Sequence, residues 1–251
     1  MSYCSKRGGI ITSLILQDQE LLYLDETTFL DPQQNVRGGI PILFPNGGAV
    51  DSADYPSLKQ HGFARNSQSW TSERDPKQLQ FVQQLESDAT SHAAYPFEFR
   101  LSVGAVVQPD NSICLIQEAE NLETNKSIPL AMGLHPYFFV PQADKASVRF
   151  AFPGGEQIEH DRGTWLNGGT TYIRNPKLHD PNVIVTILIP HLGRLQLDIS
   201  EVYEWIWVWS LPGKDFICIE PMMRGPGGFV DNPYFLSPNS LIRGQVKFSR
   251  A

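Results

Sequence analysis

The stretch WIWVWSLPGKDFICIEP, residues 205–221, contains two apolar runs separated by a turn-forming Leu-Pro-Gly segment. The first run alternates tryptophan with other residues, and the second is rich in β-branched side chains, which is typical of short β-strands. We expect the runs at 8–17 and 20–26 to pair as a hairpin. Similar runs bounded by turn residues recur at 78–87, 97–108, 112–122, 147–153, 182–190, 194–201 and 245–250. This pattern predicts an antiparallel all-β fold.

Helical signals are few. The segment YPSLKQHGFAR, residues 55–65, is too short and too rich in Pro and Gly for more than one helical turn. Residues 141–182 are polar and turn-rich, which predicts loops and small hairpins. No shift in composition, internal repeat or low-complexity tract marks a boundary, so we expect one β-sandwich domain over residues 1–251.

Charge and hydropathy exclude several classes of partner. The chain has 251 residues and a formal net charge of -7, with an isoelectric point near 5.3. Nucleic-acid binding usually needs a basic face, so we expect no nucleic-acid partner. No run of about 18 apolar residues predicts a membrane-spanning helix, and the seven-residue apolar run at 10–16 is too short for a signal peptide. We therefore expect a cytoplasmic protein that does not bind membranes.

The cysteines and known motifs narrow the chemistry further. Cys4, Cys114 and Cys218 are odd in number and lie far apart, which predicts neither a disulfide framework nor a structural zinc site. The sequence contains no HExxH or HxxEH zinc pattern, P-loop, nucleophile elbow or GxGxxG that opens a helix. We expect no metal and no cofactor.

Four segments place polar residues in Gly/Pro-rich turns beside apolar strands. Each also has an ordinary structural interpretation: a solvated arginine, a turn histidine, a core histidine bonded to the backbone, or a simple Glu–Arg ion pair with Arg224. The segments are VRGGIPILFPNGG (36–48) with Arg37, HGFARNSQSW (61–70) with His61 and Arg65, GLHPYFFV (133–140) with His135, and FICIEPMMRGPGG (216–228) with Glu220.

Taken together, these segments indicate a polar site. Burying an imidazole without a partner costs free energy, and glutamate is rarely fully buried unless paired. Pro136 and Pro221 favour extended backbone at His135 and Glu220, because the residue before a proline avoids the α region. We therefore predict a general acid–base pair on rigid strand ends, with arginine and histidine donors for a polar ligand.

The alternation in WIWVWS places Trp205, Trp207 and Trp209 on one face of a strand. Such a face can pack into the core. It can also form a platform on which the apolar face of a sugar stacks. The sequence leaves both interpretations open.

The segments GGIPILFPNGG, HGFAR, HPYF and IEP, in this order, resemble those of the aldose 1-epimerase (mutarotase) superfamily. The resemblance extends from about residue 10 to the C-terminus. RGGIP and HGFAR look most like the branch that includes hexose-6-phosphate 1-epimerases. The resemblance to the superfamily implies a galactose mutarotase-like β-supersandwich of two or three large, mostly antiparallel sheets, with a sugar cleft at one edge.

The resemblance also implies residue roles. His135 matches the family's general acid and Glu220 its general base. His61 and Arg37 match substrate-binding residues, and Arg65 matches a second arginine that faces an anion.

One further position in the family is a binding aspartate between the catalytic histidine and glutamate. Asp161, within IEHDRGTW, is the candidate here, although the surrounding pattern departs from the family's. Arg37, Arg65 and Arg224 are candidates for a phosphate pocket. Arginines bind neutral sugars as well, so both a hexose and a hexose 6-phosphate remain candidate substrates.

These roles define a reaction. Glu220, as a carboxylate, takes the proton of the anomeric hydroxyl, and His135, as an imidazolium, protonates the ring oxygen. We expect the nearby carboxylate to favour the charged imidazole. The ring opens to the aldehyde, the C1–C2 bond rotates, and the ring recloses on either face.

Two other functions fit the sequence. A non-catalytic carbohydrate-binding protein can share the same fold, but it has no need of a glutamate opposite the histidine. A glycosidase or lyase is the second, and a glycosidase usually needs two carboxylates at a defined separation.

Overall fold

The computed structural model describes residues 1–73 and 81–250, and antiparallel β-strands dominate it. In this part of the chain the strands form two large sheets and three two-stranded ribbons. The larger sheet has the spatial order Arg149–Phe150, Val185–Ile189, Gly193–Ile199, Leu241–Arg250, Ile113–Asn121, Phe99–Val107, Phe81–Glu86, Thr71–Glu73. The predicted all-β fold of large antiparallel sheets is confirmed.

The smaller sheet carries the polar segments. Its order is Thr170–Arg174, Trp205–Ser210, Phe216–Met222, Gly133–Leu134, Ile42–Leu43, with Tyr137–Phe139 also pairing with Phe216–Met222. The ribbons pair Ser2–Cys4 with Ile10–Ser13, Ile15–Leu16 with Gln19–Glu20, and Ile128–Leu130 with Tyr234–Leu236.

The core lies between the two large sheets. Two neighbouring strands of the smaller sheet point apolar side chains into this core, each at most 1% exposed: Ile206 and Val208, and Ile217 and Ile219. The larger sheet contributes side chains such as Leu101, Leu115, Leu197 and Phe248. Because side chains alternate across a strand, the residues between these positions point to the opposite face of the smaller sheet. That face carries Trp205, Trp207, Trp209 and Glu220.

Helices are short and peripheral. The α-helices are Glu26–Leu30, Ala89–His92, Gly155–His160, Arg162–Leu166 and Gly228–Asp231, and the 3₁₀ turns are Ser5–Arg7, Ala64–Asn66, Gln142–Ser147 and Pro176–Leu178. Within the described residues, no helix combines the length and apolar character needed to cross a membrane. The single turn at 64–66 agrees with the prediction for segment 55–65.

Three local predictions need correction or completion. Residues 141–182 contain two α-helices and the edge strand Thr170–Arg174 rather than only loops and hairpins. These helices are too short to show a periodic pattern, and they are held by the buried side chains of Ile158 and Trp165. In the run 78–87, residues 81–86 form a strand, while 78–80 lie outside the described residues.

The N-terminal hairpin is shorter than expected. Ile15–Leu16 pairs with Gln19–Glu20, whereas Ile10–Ser13 pairs with Ser2–Cys4. Gln17 and Asp18 form the turn, and both have positive φ, at 51° and 61°. Positive φ at both central residues is the geometry of a tight two-residue hairpin turn.

Candidate active site

Strand register sets the centre of the site. Glu220 lies opposite Trp207 on one neighbouring strand, and Trp207 lies opposite Tyr172. On the other side, Gly133 pairs with Met222 and Tyr137 pairs with Cys218. The intervening residue His135 therefore stands across from Glu220.

His135 and Glu220 face each other in the interior of a cleft. His135 Nε2 lies 3.6 Å from Glu220 Oε1, and each side chain is at most 4% exposed. The backbone N–H of His135 donates to the carbonyl of Pro41 at 3.1 Å, which holds this segment against the next strand. Directly opposed side chains on adjacent strands are close enough to interact. The sheet thus brings together the two residues that the sequence predicted as a pair.

A second row of paired side chains lies next to the row of His135 and Glu220, two residues away along each strand. Thr170 is opposite Trp209, Trp209 is opposite Cys218, and Cys218 is opposite Tyr137. The ring of Trp209 contacts that of His135 edge-on, with centroids 6.0 Å apart. The floor of the cleft is therefore formed largely by aromatic side chains around the His–Glu pair.

The cleft has a volume of about 770 Å³ and opens above these rows. Arg37, His61 and Arg65 lie in its wall, together with His135 and Glu220 in its floor. The volume is within the range of small-molecule sites. Five of the six predicted site residues thus line one hollow.

The turn at residues 61–65 brings His61 and Arg65 to the cleft. His61 has φ +68° and Gly62 has φ +66°. A Cβ atom at Gly62 would lie 1.9 Å from the carbonyl oxygen of Phe44, so the close approach of these two backbone segments requires glycine. His61 then lies edge-on to His135, with ring centroids 5.2 Å apart.

Arg37 reaches the cleft from an exposed loop. Its backbone N–H donates to Thr28 Oγ1 at 3.0 Å, and its carbonyl accepts from the N–H of Asp25 at 2.9 Å. These bonds fix the backbone, while the side chain remains exposed at the mouth of the cleft.

Several polar atoms of the cleft are buried without a hydrogen-bond partner in the described structure. Buried polar groups are nearly always satisfied in folded proteins. A concentration of unsatisfied donors and acceptors around one cleft indicates groups available to a polar ligand. They are His61 Nδ1, Arg65 Nε, His135 Nδ1, Trp207 Nε1 and Glu220 Oε2.

Burial favours the neutral forms of the central pair. Desolvation raises the pKa of Glu220 to about 8, and the positive charge of Arg65 opposes this shift. Desolvation also holds the pKa of His135 well below its ordinary value, assisted by His61 and Arg65. The expectation that His135 rests as an imidazolium is therefore corrected for the ligand-free site.

The neighbouring groups are shifted by the same causes. Burial, followed by the charge of Arg65, lowers the pKa of His61 to about 3. Burial lowers the pKa of Arg65, and Tyr137 and Glu220 oppose this shift. His61 is therefore neutral at physiological pH, and it can donate a hydrogen bond from one ring nitrogen and accept one at the other.

Two predicted residues are placed elsewhere. Asp161 lies at the junction of two short helices, where its carboxylate accepts a hydrogen bond from Gln157 Nε2 at 2.8 Å, and it is not among the cleft residues. Arg224 pairs with Glu204 rather than Glu220, and its Nε donates to the carbonyl of Asn232 at 2.8 Å. The expectations for Asp161 in sugar binding and for Arg224 in an anion pocket are corrected accordingly.

The structure adds residues that the sequence analysis did not select. Thr170 and Tyr172 line the cleft from an edge strand that was expected to be loop. Tyr137 also lines it, two residues from His135 in the quoted HPYF motif, and period-two alternation was a signal for its position. Of the three tryptophans that the sequence places on one strand face, Trp207 and Trp209 line the cleft, whereas Trp205 packs under the guanidinium of Arg174.

The two-sheet fold is that of galactose mutarotase-like proteins. The chain aligns with the Slr1438 protein of Synechocystis sp. PCC 6803 at a TM-score of 0.82 and 27% identity, covering 98% of this chain and 90% of that one. It aligns with a galactose mutarotase-like protein from Lactobacillus casei at a TM-score of 0.72 and 23% identity, covering 97% and 94%.

The family model for aldose 1-epimerase matches residues 2–223, and the chain belongs to that family. A relative from Cenchrus ciliaris, named "Putative glucose-6-phosphate 1-epimerase", is 31% identical over 153 residues, which cover 56% of this chain and 44% of that protein. The match therefore spans less than half the length of that relative.

Proposed function

We propose that this protein is an aldose 1-epimerase that interconverts the α and β anomers of a hexose or hexose 6-phosphate. The observation that carries the proposal is the 3.6 Å separation of His135 Nε2 and Glu220 Oε1 in the floor of a polar cleft. The anomeric hydroxyl and the ring oxygen of a hemiacetal are bonded to the same carbon. An acid and a base side by side can therefore reach both.

The reaction needs one proton that the pair shares. In the ring-closed complex Glu220 is ionised and His135 is protonated. Glu220 takes the anomeric hydroxyl proton while His135 donates to the ring oxygen, and the C1–O5 bond breaks to give the aldehyde. In the open-chain complex the shared proton has moved to Glu220, and reclosure reverses both transfers. The ligand-free site, with both groups neutral, holds the same number of protons.

The remaining cleft residues bind and orient the sugar. His61 and Arg65 offer unsatisfied nitrogen donors or acceptors beside the reacting pair, and the Trp207 and Trp209 rings provide apolar surface. The positive charge of Arg65 also stabilises the ionised form of Glu220. Positioning of this kind contributes to rate because it holds the hemiacetal within reach of both proton-transfer groups.

Arg37 and Arg65 are the candidates for recognition of a 6-phosphate. Arginine matches the geometry of a phosphate with two parallel hydrogen bonds. The name of the Cenchrus ciliaris relative favours a phosphorylated substrate. Both arginines line the same cleft as the acid–base pair, as a sugar phosphate requires.

The competing functions fit less well. Among the described residues Glu220 is the one carboxylate that lines the cleft, whereas most glycosidases use two. A carbohydrate-binding protein gains nothing from burying a glutamate against a histidine, and this burial has a free-energy cost.

The test is direct measurement of anomer exchange. Purified protein is mixed with the pure α anomer of glucose, galactose or glucose 6-phosphate, and NMR or polarimetry follows the approach to equilibrium. We expect acceleration above the spontaneous rate for at least one of them. If none of these three sugars is accelerated while the protein is folded, the epimerase assignment fails for them.

A further inference from the structure

Cys218 is a buried thiol beside the acid–base pair to which the proposed reaction assigns no role. Cys218 and Glu220 are two residues apart on the strand Phe216–Met222 and point to the same face of the sheet. One donor atom from each of His135, Cys218 and Glu220 lies within 4.8 Å of the donor atoms of the other two. All three residues are buried, and Cys218 is free of any disulfide.

We infer that His135, Cys218 and Glu220 form a binding site for a thiophilic divalent metal ion of the Zn²⁺ class. The ion would occupy the acid–base pair and thereby block the sugar site. The metal site is an inference from the side-chain geometry and goes beyond the proposed activity. The inhibition alone rests on that proposed function.

The distances suit a tetrahedral ion. Zinc bonds of about 2.0–2.3 Å to nitrogen, oxygen and sulfur place neighbouring ligand atoms of a tetrahedron roughly 3.3–3.6 Å apart. His135 Nε2 and Glu220 Oε1 are already 3.6 Å apart. The most distant donor pair of the three lies within 4.8 Å, so a side-chain movement of about 1 Å closes the site.

The donor set selects the kind of metal. Thiolate, imidazole and carboxylate are the three zinc ligand types, and a soft sulfur ligand discriminates against Mg²⁺ and Ca²⁺, which prefer oxygen. Zinc sites that retain an exchangeable position use three protein ligands. The cleft above His135 and Glu220 provides room for a water molecule as the fourth ligand and an entry path for the ion.

Unsatisfied polar atoms on two of the three side chains add to the geometric observation. Glu220 Oε2 and His135 Nδ1 are buried without hydrogen-bond partners in the described structure. Both side chains are more than nine-tenths buried. A bound cation would compensate the negative charge of Glu220, which the low-dielectric interior otherwise disfavours.

Sequence spacing gives no sign of this site. Zinc motifs are recognised by ligands a few residues apart on one segment. Here His135 comes from a different strand, and the antiparallel register brings it to Cys218 and Glu220 across the sheet.

Metal and sugar compete, because both require the same His135 and Glu220 atoms.

The first experiment uses Co²⁺ as a spectroscopic substitute for Zn²⁺. A cobalt–thiolate bond produces a charge-transfer band in the near ultraviolet that oxygen and nitrogen ligands do not. We expect one equivalent of Co²⁺ to generate this band in the full chain and Zn²⁺ to abolish it. The band should disappear in Cys218→Ser and persist in Cys114→Ser, a matched control at the other buried cysteine.

Two further variants separate ligation from folding. Cys218→Ala removes the donor and leaves a small apolar side chain, so it tests the thiol if the serine variant does not fold. Glu220→Gln should keep the band but weaken Co²⁺ binding at least tenfold. Absence of the band in the wild-type chain, or an unchanged band in a folded Cys218 variant, would overturn the site.

The functional consequence is measured separately. Zn²⁺ should inhibit anomer exchange in the wild-type chain and in Cys114→Ser, and Cys218→Ser should require at least tenfold more Zn²⁺ for the same inhibition. Equal sensitivity in the Cys218 variant would refute the inhibitory role. The cobalt band needs no activity, so a protein that fails to accelerate any tested sugar still gives a result on the metal site.

Discussion

The ring of His135 lies parallel to the ring of Tyr137, with centroids 4.7 Å apart and 9° between their planes. Alternation along the strand places these two residues on the same face, and the ring of Trp209 lies beside both rings and nearly perpendicular to them. The imidazole is therefore held on two sides by aromatic side chains. Its Nε2 is fixed toward Glu220, which is the preorganisation that an acid–base pair needs.

Replacement of Glu220 tests the proposed base. Glu220→Gln keeps the shape of the side chain and removes its ability to take a proton. We expect the catalysed rate of anomer exchange to fall by about 10²–10⁴-fold, the usual contribution of one general acid–base group. The measurement is kcat by NMR exchange or polarimetry, after subtraction of the spontaneous rate.

The matched control is Glu204→Gln. Glu204 is also close to positive charge, because it pairs with Arg174 and Arg224. Unlike Glu220, it does not line the cleft. Its replacement should leave kcat within a few-fold of wild type. A Glu220→Gln enzyme with a near-normal rate would show that this carboxylate is not the base.

The pH dependence should reflect the shared proton. At pH values above the lowered pKa of His135 and below the pKa of about 8 of Glu220, the two side chains together carry one titratable proton. We therefore expect activity on an unphosphorylated hexose to persist below pH 6.5 and to fall about tenfold per pH unit above 8. An unphosphorylated sugar is used because a phosphate group titrates near pH 6.

An imidazolium with an ordinary pKa gives a different profile. In that case the proton would leave near pH 6.5, and activity would decline already through neutral pH. The other titratable side chains that face the pair do not account for such a loss, because the pKa of His61 is about 3 and burial raises the pKa of Tyr137 and that of Cys218 well above their ordinary values. A loss of kcat centred near pH 6.5 would contradict the shared-proton model.

Glu220 should also make the fold sensitive to alkali. The pKa of its carboxyl is raised from 4.5 to about 8 on folding, so the native state binds the proton more tightly than the unfolded state. This contribution is complete below pH 4.5 and is lost as pH rises through 8. We expect Glu220→Gln to be more stable than wild type at pH 9, by on the order of a few kcal/mol in unfolding free energy, and therefore to have the higher Tm.

The comparison is between the two proteins at pH 5 and pH 9. At pH 5 the wild-type carboxyl is protonated in the native state, so the difference in Tm between the two proteins should be small. At pH 9 it should be large and in favour of the variant. A Tm difference that does not change with pH would mean that Glu220 is not buried as the structure places it.

The sequence predicts some features of this site well and others poorly. The five predicted site residues that line the cleft each lie in a short motif with Gly or Pro. Turns and loops bring Arg37, His61 and Arg65 to it, whereas strand register places His135 opposite Glu220. Asp161 was selected from its position in the chain order alone, and local helix formation places it elsewhere.

The protonation state and the wider cleft wall depend on long-range structure. Desolvation of His135 and Glu220 follows from the packing of the smaller sheet and its aromatic rows. No local pattern reports the extent of that burial. Tyr172 reaches the cleft only because its strand pairs with the tryptophan strand, a contact between residues more than 30 positions apart.

Arg37 tests whether the substrate carries a phosphate. Its side chain is exposed at the cleft, so Arg37→Ala should not disturb folding. Loss of a charge-assisted hydrogen bond to phosphate should raise KM for glucose 6-phosphate roughly 10- to 100-fold. KM for glucose should change only a few-fold, because no phosphate contact is lost.

Arg174→Ala is the control for general effects of removing a positive charge. Arg174 is exposed and lies on the same sheet, but it stacks on Trp205 outside the cleft. It should leave both KM values close to wild type. Equal increases for glucose and glucose 6-phosphate in Arg37→Ala would instead assign Arg37 to the sugar hydroxyls.

Trp207 tests whether the tryptophan face is a sugar platform or simply part of the core. Its indole Nε1 is buried without a partner, and its ring stands between Tyr172 and Glu220 in the floor of the cleft. Trp207→Phe keeps an aromatic ring and removes the N–H donor. Loss of one neutral hydrogen bond to the sugar should raise KM roughly 2- to 10-fold with little change in Tm.

The control is Trp205→Phe, on the same strand face but outside the cleft, which should leave KM unchanged. If Trp207→Phe lowers Tm and leaves KM unchanged, Trp207 belongs to the packing of the sheet, and the polar contacts to the sugar come from the His61 and Arg65 side of the cleft.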